Sequence, residues 1–138
     1  MNRLTKGEAL IGALSVGGDS RITGVASVAR ATSTIADGAS MVASAGSVIT
    51  DTIASATPTA ARNVTTGTAS AIIALVGNYA VGDASEFTLI NLAAATHALT
   101  LVGGTGVTIV GSAIVSAASS ATWYVRIASS TTVVLYRK

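Results

Sequence analysis

Between Val81 and Lys138 apolar and polar residues alternate with period two through a series of short runs, FTLINL, HALTLV, GVTIV, ATWYVRI and TTVVLY. Successive side chains of an extended strand point to opposite faces, so this pattern marks strands with one face buried and the other turned outward. Wound into helices, the same residues would scatter Val, Ile and Leu around the whole cylinder. One face collects Phe87 and Leu89, Leu99 and Leu101, Val107 and Ile109, Trp123, Val125 and Ile127, and Val133 and Leu135, which form the expected core. Between the runs stand Ala93 to Thr96, Gly103-Gly104, Gly111-Ser112, Ala117 to Ser120 and Ser129-Ser130, which read as hairpin connections. Strands joined by tight turns at a spacing of about ten residues predict a mainly β fold, an antiparallel β-sandwich or jelly-roll-like barrel. No strict repeat is visible, so a solenoid or propeller is not expected.

The remainder divides into an extended N-terminal arm, residues 1–24, and the start of a single β-rich domain spanning 25–138. The arm carries Arg3 and Lys6 beside an apolar patch of Leu10, Ile11 and Leu14, and ends in glycines. Two readings stand side by side: it lies over a neighbouring chain, or it frays as many termini do. From Val25 to Thr57 dense Thr and Ser favour two or three short strands, with turns at Asp37-Gly38 and Gly46. Pro58 blocks a central ladder position, and a strand over Ala61 to Thr65 follows. One short helix is predicted over Thr68 to Val76, where Ala69, Ile72, Ile73 and Val76 recur at helical spacing. Thr66 or Thr68 supplies its N-cap, Gly77 its stop, and the helix covers an open end of the β structure.

Residues that carry chemistry are sparse. The chain has no Cys, one His and six carboxylates, so a thiolate metal site or a disulfide is excluded. Asp83 and Glu86 form the only close carboxylate pair and read as a polar loop entering a strand rather than a glycosidase pair. His97 sits at the rim of the apolar face without a second His to share a metal. GGTGVTIVG, residues 103–111, lacks the helix that a phosphate-binding glycine loop requires and reads as a hairpin. Asn63-Val64-Thr65 fits a glycosylation sequon of the kind that Thr-rich chains contain by chance. No enzyme, cofactor or metal is expected.

More than half of the chain is Ala, Gly, Ser or Thr, and only 10 % is charged against about 25 % in an average globular protein. A core of small side chains buries little area per residue, and few charges remain to cover the outside, so part of the surface is expected to meet another chain. On the closing aromatic run, Tyr124 and Arg126 share the face opposite Trp123 and are candidate contact residues, with Thr122 beside them. The formal charge of +2 comes from cations spread along the chain, not from the clustered patch that nucleic acid demands. The long uncharged run holds too much Thr, Ser, Asn and Gly for a membrane span, and Glu8 interrupts the only stretch resembling a signal peptide.

The segment TPTAARNVTT, the Ala-rich helix, the strand in VGDASEFTLIN, the GTGVT turn and the closing aromatic-basic strand WYVRI together resemble a group of small virion proteins of tailed bacteriophages, over about residues 57–138. That group is made up largely of head decoration or cement proteins, β-rich and trimeric. The resemblance implies a homotrimer on the outer surface of the phage head, bound to the major capsid protein and stabilising the shell, with no nucleic acid or membrane partner. Arg3, Lys6, Leu10, Ile11, Leu14, Tyr124 and Arg126 are then the residues expected to contact the capsid or a neighbouring protomer. The alternative is a tail fibre or spike component that binds a host receptor or glycan.

Overall fold

Short strands and two short helices follow one another in the computed structural model, which describes residues 30–50 and 52–138. The arm, with Arg3, Lys6, Leu10, Ile11 and Leu14, lies outside the described residues. The elements are β1 (Thr32–Thr34), β2 (Met41–Ala43), α1 (Ala45–Ile49), β3 (Ile53–Ala56), β4 (Arg62–Thr66), α2 (Ala69–Ala74), β5 (Ala84–Asn91), β6 (Leu99–Val102), β7 (Val107–Val110), β8 (Ile114–Val115), β9 (Ser119–Ile127) and β10 (Val133–Arg137). The expected β character holds, and each alternating run of the C-terminal half forms a strand.

Their partners differ from expectation. The strands make a six-stranded sheet, β1-β3-β5-β9-β10-β7, and a four-stranded sheet, β2-β4-β6-β8. From β1 to β8 the chain alternates between the two sheets at every step, and only β9 and β10 are consecutive in one sheet. Neighbours β1 and β3, β3 and β5, β2 and β4, β4 and β6, and β7 and β10 therefore run parallel. Antiparallel pairing is confined to β5 with β9, β9 with β10 and β6 with β8. The all-antiparallel expectation is thus corrected. Of the anticipated hairpins, only the turn at Ser129-Ser130 joins two paired strands.

The chain winds between sheets much as a solenoid does, but with unequal coils. Thr32 lies beside Ile53 and Ile53 beside Thr88, offsets of 21 and 35 residues. The longer coil contains α2 and the loop after it, and that inequality hides the winding from a search for a fixed repeat. Both helices occupy passages from the four-stranded to the six-stranded sheet, α1 between β2 and β3 and α2 between β4 and β5. They pack on each other. The second follows the predicted design: the Thr68 hydroxyl oxygen accepts a hydrogen bond from the Ala71 amide at 3.2 Å, and Ala69, Ile72 and Ile73 are buried. The first corrects the predicted turn at Gly46, which lies inside α1. Its N-cap is Ser44, whose oxygen accepts from the Ser47 amide.

Both sheets turn their apolar faces into one core. Phe87, Leu89, Leu99, Leu101, Trp123, Val125, Ile127, Val133 and Leu135 are buried as predicted, while Val107 and Ile109 pack against the cluster and are only half-buried. Phe87 and Trp123 stand opposite each other on β5 and β9 with ring centroids 6.2 Å apart. Small residues complete the packing: the register places Ala54 beside Leu89 and Leu89 beside Ala121, so large and small side chains alternate across the sheet. Arg137 closes one end of the core, its guanidinium 4.9 Å from the centre of the Trp123 ring.

Polar side chains fasten the passages between sheets. Asp37, in the β1 to β2 passage, accepts hydrogen bonds from the Thr59 amide at 3.1 Å, the Thr59 hydroxyl, and Arg62 Nε at 2.9 Å, joining one coil to the next. It does so without the hairpin predicted at Asp37-Gly38, since β1 and β2 belong to different sheets. Asn91 is fully buried with every polar atom engaged. Its Nδ2 donates to the carbonyls of His97 and Val115, at 2.8 and 3.0 Å, and its Oδ1 accepts from the Ala93 amide. The 103–111 segment is likewise no hairpin: residues 103–106 pass from β6 in one sheet to β7 in the other, and the Gly104 amide donates to the Thr66 hydroxyl at 2.9 Å.

Candidate functional site

Where β5, β9, β10 and β7 lie side by side, the residues between the core positions face outward in straight rows. Glu86 stands opposite Tyr124, Tyr124 opposite Tyr136, and Tyr136 beside Val110. The next row in one direction is Ala84, Arg126, Val134 and Thr108. In the other direction Thr88 and Thr122 face each other and share a hydrogen bond of 2.8 Å between hydroxyls. Tyr124, Tyr136 and Val110 are 44, 39 and 43 % exposed, so a strip of apolar and aromatic surface crosses the centre of the sheet.

Charges ring this strip. Glu86 accepts from Arg30 Nη2 at 3.0 Å and from Lys138 Nζ at 2.9 Å, which ties the segment before β1 and the end of β10 to the middle of the face. The hydrogen bond from Lys138, then that from Arg30, holds the Glu86 carboxyl below the usual carboxylate range. Lys138 is raised in turn, chiefly by Glu86, and its ammonium lies 5.2 Å from the centre of the Tyr124 ring. Arg126 forms no ion pair among the described residues.

Of the residues singled out in the sequence, Tyr124 and Arg126 share this face, two positions apart on β9. Glu86 was noted only as half of a carboxylate pair with Asp83, and Tyr136, Lys138 and Arg30 were not singled out for this face, because alternation assigns a residue to a face without naming its neighbours. Tyr136 and Val134 had a legible signal, occupying the outward positions of the last strand. Nothing local foretold Arg30 beside Glu86.

Asp83 and Glu86 have separate tasks: Asp83 Oδ2 accepts from the Ala80 amide at 2.8 Å and closes a turn, while Glu86 belongs to the ion-paired group. Tyr79 packs partly buried against the core cluster. His97 is half-buried in the loop before β6. Asn63 is exposed on β4, on the outward face of the four-stranded sheet. Among the described residues no group of three or more His, Asp or Glu is placed to hold a metal ion, and no helix is long and apolar enough to cross a membrane.

The two outward faces differ in chemistry. That of the four-stranded sheet presents Val42, Thr65 and Val102 in one row and Asn63, Thr100 and Ile114 in another, all uncharged. At ordinary strand spacing and rise it covers roughly 200 Å², against roughly 500 Å² for the six-stranded sheet. A specific contact commonly buries about 800 Å² per partner, and weak ones less than about 600 Å². The tyrosine face therefore suits a single weak contact by itself, whereas the smaller face is only part of one. No protein-family model, no curated protein and no solved structure matches the chain.

Proposed function

We propose that this protein is a structural component of a virus particle, a decoration protein that binds the outer surface of a tailed-phage head as a homotrimer and reinforces its shell. The observation that carries the reading is the outward face of the six-stranded sheet, where Tyr124, Tyr136 and Arg126 stand together, residue types that dominate the energetics of protein contacts. The resemblance over residues 57–138 supplies the particle, and the charge-poor composition supplies the need for partners. A face of this size gives a weak individual contact, and repetition over a symmetric shell turns weak contacts into firm attachment through avidity. Within this reading the two sheets form a β-sandwich with a wound chain path, and the uncharged face of the four-stranded sheet serves contacts between copies.

Two measurements test the proposal. Quantitative mass spectrometry of purified particles is expected to give a copy number that scales with the number of shell subunits. A handful of copies would instead favour the alternative, a tail fibre or spike component that binds a receptor or glycan. Native mass spectrometry of the isolated chain is expected to show a trimer, and a stable monomer at micromolar concentration would overturn the assembly assigned here.

A further inference from the structure

We infer that the outward face of the six-stranded sheet docks an acidic protein surface, anchored on Tyr124 and Tyr136 and recognised by Arg126, and that it is not a contact between copies of this chain. The inference rests on reading this face as a contact surface and adds the chemistry of what it contacts.

Charge decides the partner. Arg30, Arg126 and Lys138 stand around a single carboxylate, Glu86, which is already shared between Arg30 and Lys138. Arg126 is partly exposed, with the small residue Ala84 on one side and Val134 on the other, and its Nη2 lies near the bare backbone of Gly82. Its guanidinium offers a planar fork of donors suited to a carboxylate. Among the described residues a second copy has little to place there. The described residues contain three carboxylates, Asp37, Asp83 and Glu86; Asp37 is paired with Arg62, Asp83 closes its own turn, and Glu86 is paired twice. Two copies of this face brought together by a two-fold axis would set like charges against each other, which disfavours that pairing.

Shape and spacing favour protein over other polyanions. Three cations around an aromatic strip do not form the run of phosphate contacts that nucleic acid binding demands. A saccharide would look for side-chain amides, and none stands in these rows, where the Thr88 and Thr122 hydroxyls bond to each other. The tyrosines instead provide rigid, amphipathic anchors at the centre with charge at the margin, the arrangement of a protein contact.

The test uses the full chain, labelled with nitrogen-15, titrated with an oligo-glutamate peptide of about ten residues and, as controls, oligo-glutamine and a heparin oligosaccharide. Oligo-glutamate is expected to shift the amide resonances of Tyr124, Arg126 and Tyr136, and oligo-glutamine is not. Arg126→Glu is expected to weaken the peptide about tenfold or more. Raising sodium chloride from about 50 to about 500 mM is expected to weaken it as well. Arg126→Ala, checked by circular dichroism, supports the result if the reversed charge disturbs folding. Equal binding of oligo-glutamine, no loss in either Arg126 variant, heparin shifting the same residues as strongly, or concentration-dependent self-association through these residues would each overturn the inference. Particle retention separates it from the contact reading: loss with Tyr124→Ala/Tyr136→Ala but not with Arg126→Glu leaves the contact face standing and removes the acidic partner, and retention by all variants removes both.

Discussion

At the scale of single residues, the joints between coils depend on a few polar side chains, and Asp37 is the clearest. Its bonds to Arg62 and Thr59 bring its pKa down to about 2. A carboxylate whose folded pKa lies below its unfolded value of about 3.9 adds stability that is fully present above that unfolded value and is lost as pH falls through the folded one. Asp37→Ala is therefore expected to melt at a lower temperature than the parent at pH 6. The gap should narrow as pH drops from about 4 and level off at its smallest below about 2. Thermal melts of both proteins across that range check it, and a gap independent of pH would rule out the ionised carboxylate as its source. Asp37 was visible in the sequence only as the first residue of an Asp-Gly turn. What it bonds to lies 22 and 25 residues further on, a distance set by the length of the coil.

At the scale of elements, local rules succeeded wherever the determinants were local. The Thr68 cap, the buried stripe of α2 and the inward faces of β5, β6, β9 and β10 all depend on residues within a turn or a strand of one another. The glycine turns failed for the opposite reason. Gly103 and Gly104 were read as a hairpin because glycine tolerates tight bends, yet they serve a passage where backbones nearly touch. A Cβ on Gly103 would come within 2.2 Å of the Val107 carbonyl oxygen, and one on Gly104 within 2.6 Å of the Thr66 carbonyl oxygen. Gly38, with no neighbour within 4 Å of a Cβ and no positive φ, has neither constraint. Gly103→Ala and Gly104→Ala are expected to cost about 1–3 kcal/mol or more, since backbone must shift to make room. Gly38→Ala should be neutral or stabilising by up to about 1 kcal/mol. Urea denaturation of the three variants checks the contrast, and equal effects would contradict the close backbone approach.

At the scale of the whole molecule, the wound path means that neighbouring strands in either sheet, β9 and β10 apart, are not consecutive in sequence. Loop closure precedes the contacts that stabilise it, so folding is expected to be slow for a chain of this length, in the range of milliseconds to seconds. Trp123 is the single tryptophan and sits buried between β5 and β10, so its fluorescence after rapid dilution from denaturant reports the assembly of the large sheet. Refolding in microseconds would contradict this. The same topology builds the candidate site, since Arg30, Glu86, Tyr124, Tyr136 and Lys138 span most of the described chain and meet only because β1, β3, β5, β9 and β10 stand side by side in one sheet. By itself the sequence determined the secondary structure of the C-terminal half, the residues that turn inward and the scarcity of chemical groups. Those follow from side-chain polarity and the two-residue period of an extended backbone. Which strand pairs with which, in what direction, and hence which outward residues form one face, was decided only by the tertiary structure. Alternation tells a side chain which way to point but carries no information about the strand beside it.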